Sequence, residues 1–170
     1  MISIIICSVK KNLRDAISLN IEETIGVEHE IIIINNEVQQ LSISKAYNIG
    51  ASKAKFPYLC FIHEDVKFHT KSWGEILIKN FLETQARLIG FTGSTIKTKY
   101  PSSVYIAGSP YNRQCHLQKW PDKPMTKSYI NPKQESYSEV CVLDGLFIAS
   151  GSPFCASTWT TRMPRSIFSA

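Results

Sequence analysis

The chain has 170 residues, 44% of them hydrophobic and 19% charged, with a formal net charge of +5. That length suffices for one domain with its own core, and the ordinary composition excludes a disordered, collagenous or low-complexity chain. No apolar run is long enough to cross a bilayer, and no internal repeat is visible.

The charge is uneven. Residues 1–75 hold 8 Lys/Arg against 9 Asp/Glu, and residues 76–170 hold 11 against 5. A basic second half suits a phosphate-bearing ligand or an anionic membrane surface. A nucleic-acid partner is not expected, and a peripheral membrane contact is. The N-terminal "MISIIICSVKKN" has its lysines after a short apolar run, the reverse of a signal peptide. It reads as a first strand, and the expected location is cytoplasmic, extending to the inner face of the membrane. The five cysteines, Cys7, Cys60, Cys115, Cys141 and Cys155, form no CxxC pair. Their odd count, with Cys7, Cys60 and Cys141 inside apolar runs, points to reduced, buried thiols. Cys115–His116 lacks the second ligand pair that a zinc site needs.

Taken in order, "ISIIIC" (residues 2–7) predicts a buried strand. Asn12 is placed to cap a helix from Leu13 to Thr24, with Gly26 as its stop. "HEIIIINN" (29–36) predicts a second, fully buried strand. Ser42 or Ser44 can cap a helix through "KAYNIGASKA", which Pro57 ends. "YLCFIH" (58–63) is the third strand. "SWGE" (72–75) has capping-box spacing and opens a helix to about Gln85, with Trp73, Leu77 and Phe81 inward. "RLIGFTG" (87–93) is a fourth strand. The alternation predicts an α/β fold with a mostly parallel central sheet, whose ligands sit at the carboxyl ends of the strands.

Residues 94–138 break the rhythm. Five prolines and six tyrosines or tryptophans, from Tyr100 and Pro101 to Tyr137, read as one long loop with a lid role, or as a loop packed on the sheet. "VCVLDGLFIAS" (140–150) regains strand character, with Asp144–Gly145 as a break.

Neither GxGxxG nor GxxxxGK[ST] occurs, which argues against the usual dinucleotide fold and a P-loop. A receiver domain would need acids beside the first strand, where Cys7–Ser8 stand. The strand tip "HEDV" leaves a divalent cation on Asp65, helped by Glu64 or His63, or a plain solvent-exposed strand end. Oxygen ligands suit Mg²⁺ or Mn²⁺ completed by substrate phosphates.

"ISIIICS", "EIIIINNE" and "SISKAYNIGASKAKFPYLCFIHEDV", with the later "LIGFTGS" and "VCVLDGLFIAS", resemble in order and spacing the family 2 glycosyltransferases. The resemblance spans roughly residues 2–150. It implies a GT-A-type, Rossmann-like three-layer sandwich that moves a sugar from a nucleotide-diphosphate donor to a glycan or lipid-linked acceptor, as in polysaccharide biosynthesis. By position, Asp65 matches the metal-binding aspartate of a DxD-like motif. His63 and Glu64 match acids that touch the ribose or metal. Cys7 and Ser8 stand at a Pro-Thr pair beside the nucleotide, and Asn35, Asn36 and Glu37 at residues that recognise the base. Asparagines there leave the base open, and His63 tilts the metal toward Mn²⁺.

The family's general base comes late, yet residues 151–170 contain no Asp or Glu. They read as a divergent, out-of-frame tail on a truncated domain of residues 1–150. A non-catalytic remnant that binds nucleotide is therefore the alternative to an active enzyme. Asp144 is the remaining candidate for the catalytic position, and it reads equally as an acceptor contact or a turn residue.

Overall fold

A computed structural model describes residues 1–99 and 103–151, together with the backbone of Ser166–Ser169. Most of the expected tail, with Cys155, and the Tyr100–Pro101 step of the expected loop lie outside the described residues.

The first half follows the predicted alternation: β1 (Ile2–Ser8), α1 (Lys11–Thr24), β2 (His29–Asn35), α2 (Ile43–Lys53), β3 (Tyr58–His63), α3 (Trp73–Thr84) and β4 (Leu88–Gly90). The second half is β-rich. It runs β5 (Thr92–Ser94), a 3₁₀ turn at Val104–Ala107, β6 (Asn112–Gln118), β7 (Thr126–Ile130), β8 (Tyr137–Val140), β9 (Val142–Leu143), β10 (Phe147–Ser150) and β11 (Ser166–Ser169).

The large sheet has the order β2-β1-β3-β10-β4-β11-β8. It is mixed, not mostly parallel: three pairings are parallel (β1 with β2 and β3, β11 with β4) and three antiparallel. The reason is that the βαβ rhythm ends at β4: no described α-helix follows α3 to make a further crossover, and β10 and β8 join by antiparallel pairing, which needs none. Within the expected tail, Ser166–Ser169 pair as β11 between β4 and β8. A second sheet, β7-β6-β5-β9, is antiparallel throughout. The expected strand at 87–93 is split at Phe91, so β4 serves the large sheet and β5 the small one.

Alternation along β1 builds two core layers. Ile2, Ile4 and Ile6 join Ile17 and Ile21 of α1 and Leu77 and Phe81 of α3 in one fully buried cluster. Phe68 stacks on Trp73 at 4.2 Å between centroids, and Phe147 meets both edge-on. On the opposite face α2 packs on β1, and a side chain at Gly50 would overlap Ile5. The Asn-x-Gly step in "YNIG" is therefore a close-approach requirement. The three-layer expectation holds: α1 and α3, the sheet, then α2.

Several local expectations fail for identifiable reasons. Strand β2 is half exposed, because it is the sheet's outer strand. Asn12 lies inside α1 and caps nothing; the N-cap is Lys10, without a side-chain bond. Ser72 sits at φ 53 and makes no capping-box contact. Its carbonyl accepts from Glu75 and Ile76 instead. Gly26 does end α1, at φ 73, and Ser42 caps α2, accepting from the Lys45 amide at 3.4 Å. Cys141 is exposed, in the step between β8 and β9. The expected loop 94–138 contains β6 and β7 as a hairpin and the start of β8. No helix of the described residues is long and apolar enough to cross a membrane.

Candidate active site

The parallel register of β1, β2 and β3 aligns Cys7–Ser8, Ile34–Asn35 and His63 at one sheet edge. Three bonds tie those tips together. The Asn36 amide donates to the Ser8 carbonyl at 2.7 Å. Glu64 Oε2 accepts from the amides of Val9 and Lys10, both at 3.1 Å. Glu64 thereby does what Asn12 does not: it satisfies donors at the start of α1 and sets a negative charge at a helix N-terminus. One of its oxygens accepts both of these backbone bonds.

The other site residues divide in the same way. Asn36 is buried and structural, with its amide donating to the Leu41 carbonyl and its Oδ1 accepting from the Leu41 amide. Asn35 and Glu37 are exposed, the Asn35 Oδ1 accepting from the Glu37 amide at 3.2 Å. His63 and Asp65 are exposed at the tip. Cys7 is half-buried, and its thiol is held above the usual range by burial first and by the Glu64 charge. Ser8 is 1% exposed and its hydroxyl has no partner. The Tyr47 hydroxyl from α2 is likewise buried and unpartnered. Its pKa is raised by burial and then by the nearby Cys7. Buried polar groups without partners are uncommon and need an explanation. Here two of them lie at or near the β1 tip.

A second group adjoins the tip from the small sheet. The His63 amide donates to the Leu146 carbonyl at 3.3 Å. A Cβ built on Gly145 would lie 3.8 Å from His63 Nε2. Asp144, just before, is anchored by its amide to the Thr92 carbonyl at 2.9 Å. Its Oδ1 accepts from the Leu146 amide at 3.0 Å. The Thr92 hydroxyl bonds His116 Nδ1 at 3.1 Å and also reaches Tyr105. Burial pushes the His116 pKa below its ordinary value, opposed by the Asp144 charge. Burial and then Asp144 raise that of Tyr105. Thr92, Tyr105 and His116 were not singled out as site residues from the sequence. They come from three separate elements and meet through strand pairing, which leaves no spacing to read. Cys115 and His116, as successive strand residues, point to opposite faces, which removes the zinc pair.

Chain similarity decides the family. A model of a glycosyltransferase-like family matches residues 3–157. The chain belongs to that glycosyltransferase-like family. The match covers every element from β1 to β10, including both groups at the sheet edge, and the mixed α/β fold agrees with it. No curated protein matches the chain.

Among the described residues, no three His, Cys, Asp or Glu side chains converge as a ready-made metal cage. The donor set does not fit a resident ion held by protein alone. Asp65 and His63 fit an ion that arrives on a substrate diphosphate and needs only one or two protein ligands.

Proposed function

We propose that this glycosyltransferase-like protein moves a sugar from a nucleotide-diphosphate donor to a hydroxyl of a glycan or lipid-linked acceptor. The supporting observation is the juxtaposition at one sheet edge of the β1–β3 tips and the Asp144–Gly145 turn, joined through His63. The nucleotide lies across the tips. Asn35 and Glu37 face the base, and the unpartnered Ser8 hydroxyl, beside Cys7, takes a polar group of the nucleoside. Asp65, with His63, holds Mn²⁺ or Mg²⁺ on the diphosphate. When bound, that ion offsets charge developing on the leaving group.

On the acceptor side Asp144 is the general base. Its Oδ1 is engaged by Leu146, and its second oxygen takes the proton from the acceptor hydroxyl. The acceptor oxygen, as it loses that proton, attacks the anomeric carbon while the bond to the diphosphate breaks, and the nucleoside diphosphate leaves. His116 and Tyr105 orient the acceptor by hydrogen bonds. A second reading, a remnant that binds nucleotide without turnover, is favoured by one feature: residues 151–170 carry no carboxylate.

The test is release of nucleoside diphosphate from a panel of UDP- and GDP-sugars with Mn²⁺. Asp144→Asn keeps the Oδ1 bond to Leu146 and removes the base. Turnover is expected to fall about 100-fold or more in this variant, the scale of a lost general base. Equal rates in the two proteins would remove Asp144 from the mechanism. Metal-dependent binding with no release from any donor would favour the remnant.

A further inference from the structure

The β6–β7 hairpin is the outer edge of the small sheet, since β7 pairs only with β6. Leu117, Trp120, Met125 and Tyr129 are each about half exposed. Large apolar side chains grouped on one projecting element mark an interaction surface. The pairing register sets their direction. Leu117 lies opposite Lys127 and Cys115 opposite Tyr129, so Leu117, Lys127 and Tyr129 share a face. His116 and Ser128 occupy the other face, where His116 meets Thr92. One side of the hairpin therefore serves the site and the other is presented outward.

The charge on this element is basic. Residues 117–130 contain Lys119, Lys123 and Lys127 against one acid, Asp122. Lys127 Nζ stands 5.0 Å from the centre of the Tyr129 ring, and Lys119 Nζ donates to the Lys123 carbonyl. Exposed Trp and Tyr with aliphatic neighbours and three lysines on the same hairpin suit the headgroup boundary of a bilayer. Edge-to-edge pairing with a second copy is disfavoured. Lys127 on the outer strand, and Pro121 and Pro124 in the connecting loop, blunt that edge.

We propose that the β6–β7 hairpin docks this protein on an anionic lipid surface, with Trp120 and Met125 entering the interface and Lys119, Lys123 and Lys127 contacting lipid phosphates. The docking uses none of the residues assigned to donor binding, so it stands apart from that assignment.

The experiment is co-sedimentation of the full chain with vesicles of phosphatidylglycerol and phosphatidylcholine, and with phosphatidylcholine alone. Binding is expected on the anionic vesicles only, weakening as salt rises. Replacing Lys119, Lys123 and Lys127 together with Ala is expected to weaken it about 100-fold. Trp120→Ala with Met125→Ala is expected to weaken it at all salt concentrations. Circular dichroism melting of both variants checks that the fold is kept. No binding to anionic vesicles at low salt, or binding unchanged in both variants, would overturn the proposal. So would lipid-free self-association in sedimentation velocity that is lost in the Trp120 and Met125 variant, which assigns the surface to a second copy.

Discussion

At the scale of single residues, carboxylates in one strand-tip motif have different duties. Glu64 is tied to the start of α1 through two amides. Charge-assisted bonds of this kind are each worth about 1.5–3 kcal/mol when well formed, less where exposed. Glu64→Gln is therefore expected to lower stability by about 1 kcal/mol in urea unfolding. Ser8→Ala carries the opposite expectation. Removing a buried hydroxyl that bonds nothing should leave stability equal or higher, while nucleotide affinity falls if the hydroxyl serves the ligand. Calorimetric binding and melting on the same sample read both. His116 gives a signed pH effect. Its folded pKa lies below the ordinary 6.5, so the unfolded chain takes up the proton first as pH falls. Stability should decline on acidification from about pH 6.5 until the folded pKa is passed, and His116→Gln should remove that component of a pH–melting profile.

At the scale of elements, what could be read from the sequence tracks how each strand is buried. Strands β1 and β3 sit between neighbours and helices, so their apolar runs announced them and placed His63–Asp65 at a strand tip. Strands β6 and β7, "NRQCHLQ" and "TKSYI", have polar or exposed faces and are held by backbone pairing. No hydrophobic alternation marks them, and they read as loop. The same blindness hid Thr92, Tyr105 and His116, which only the folded small sheet brings to Asp144. Capping was legible only at α2, where Ser42 accepts from Lys45; at α1 the asparagine lies inside the helix and Glu64, far along the chain, accepts the bonds instead. Helix α2 offers a test of close packing. Gly50→Ala is expected to cost about 1–3 kcal/mol in chemical unfolding, because the added methyl meets Ile5.

At the scale of the whole molecule, the fold joins two sheets so that the β1–β3 tips and the Asp144–Leu146 turn adjoin. The connection is β10, antiparallel between β3 and β4, whose entry turn brings Gly145 and Leu146 to His63 and ties Asp144 to Thr92. The large sheet is mixed both there and at its far edge, where β8 pairs antiparallel with β11. The basic excess of residues 76–170 falls on the half that contains the exposed hairpin, while the first half, with the strand tips, is nearly neutral. The proposed donor site and the proposed lipid-docking hairpin thus fall on separate parts of one chain.

The central claim is that the β1–β3 tips bind a nucleotide diphosphate through Asp65 and a divalent ion. Thermal unfolding with UDP- and GDP-sugars, with and without Mn²⁺, measures it directly, because a ligand that binds only the folded chain raises the melting temperature. The expected result is a metal-dependent rise for at least one nucleotide in the native protein, absent in Asp65→Ala and retained in Asp144→Asn. No rise with any nucleotide, or an equal rise in Asp65→Ala, would contradict it.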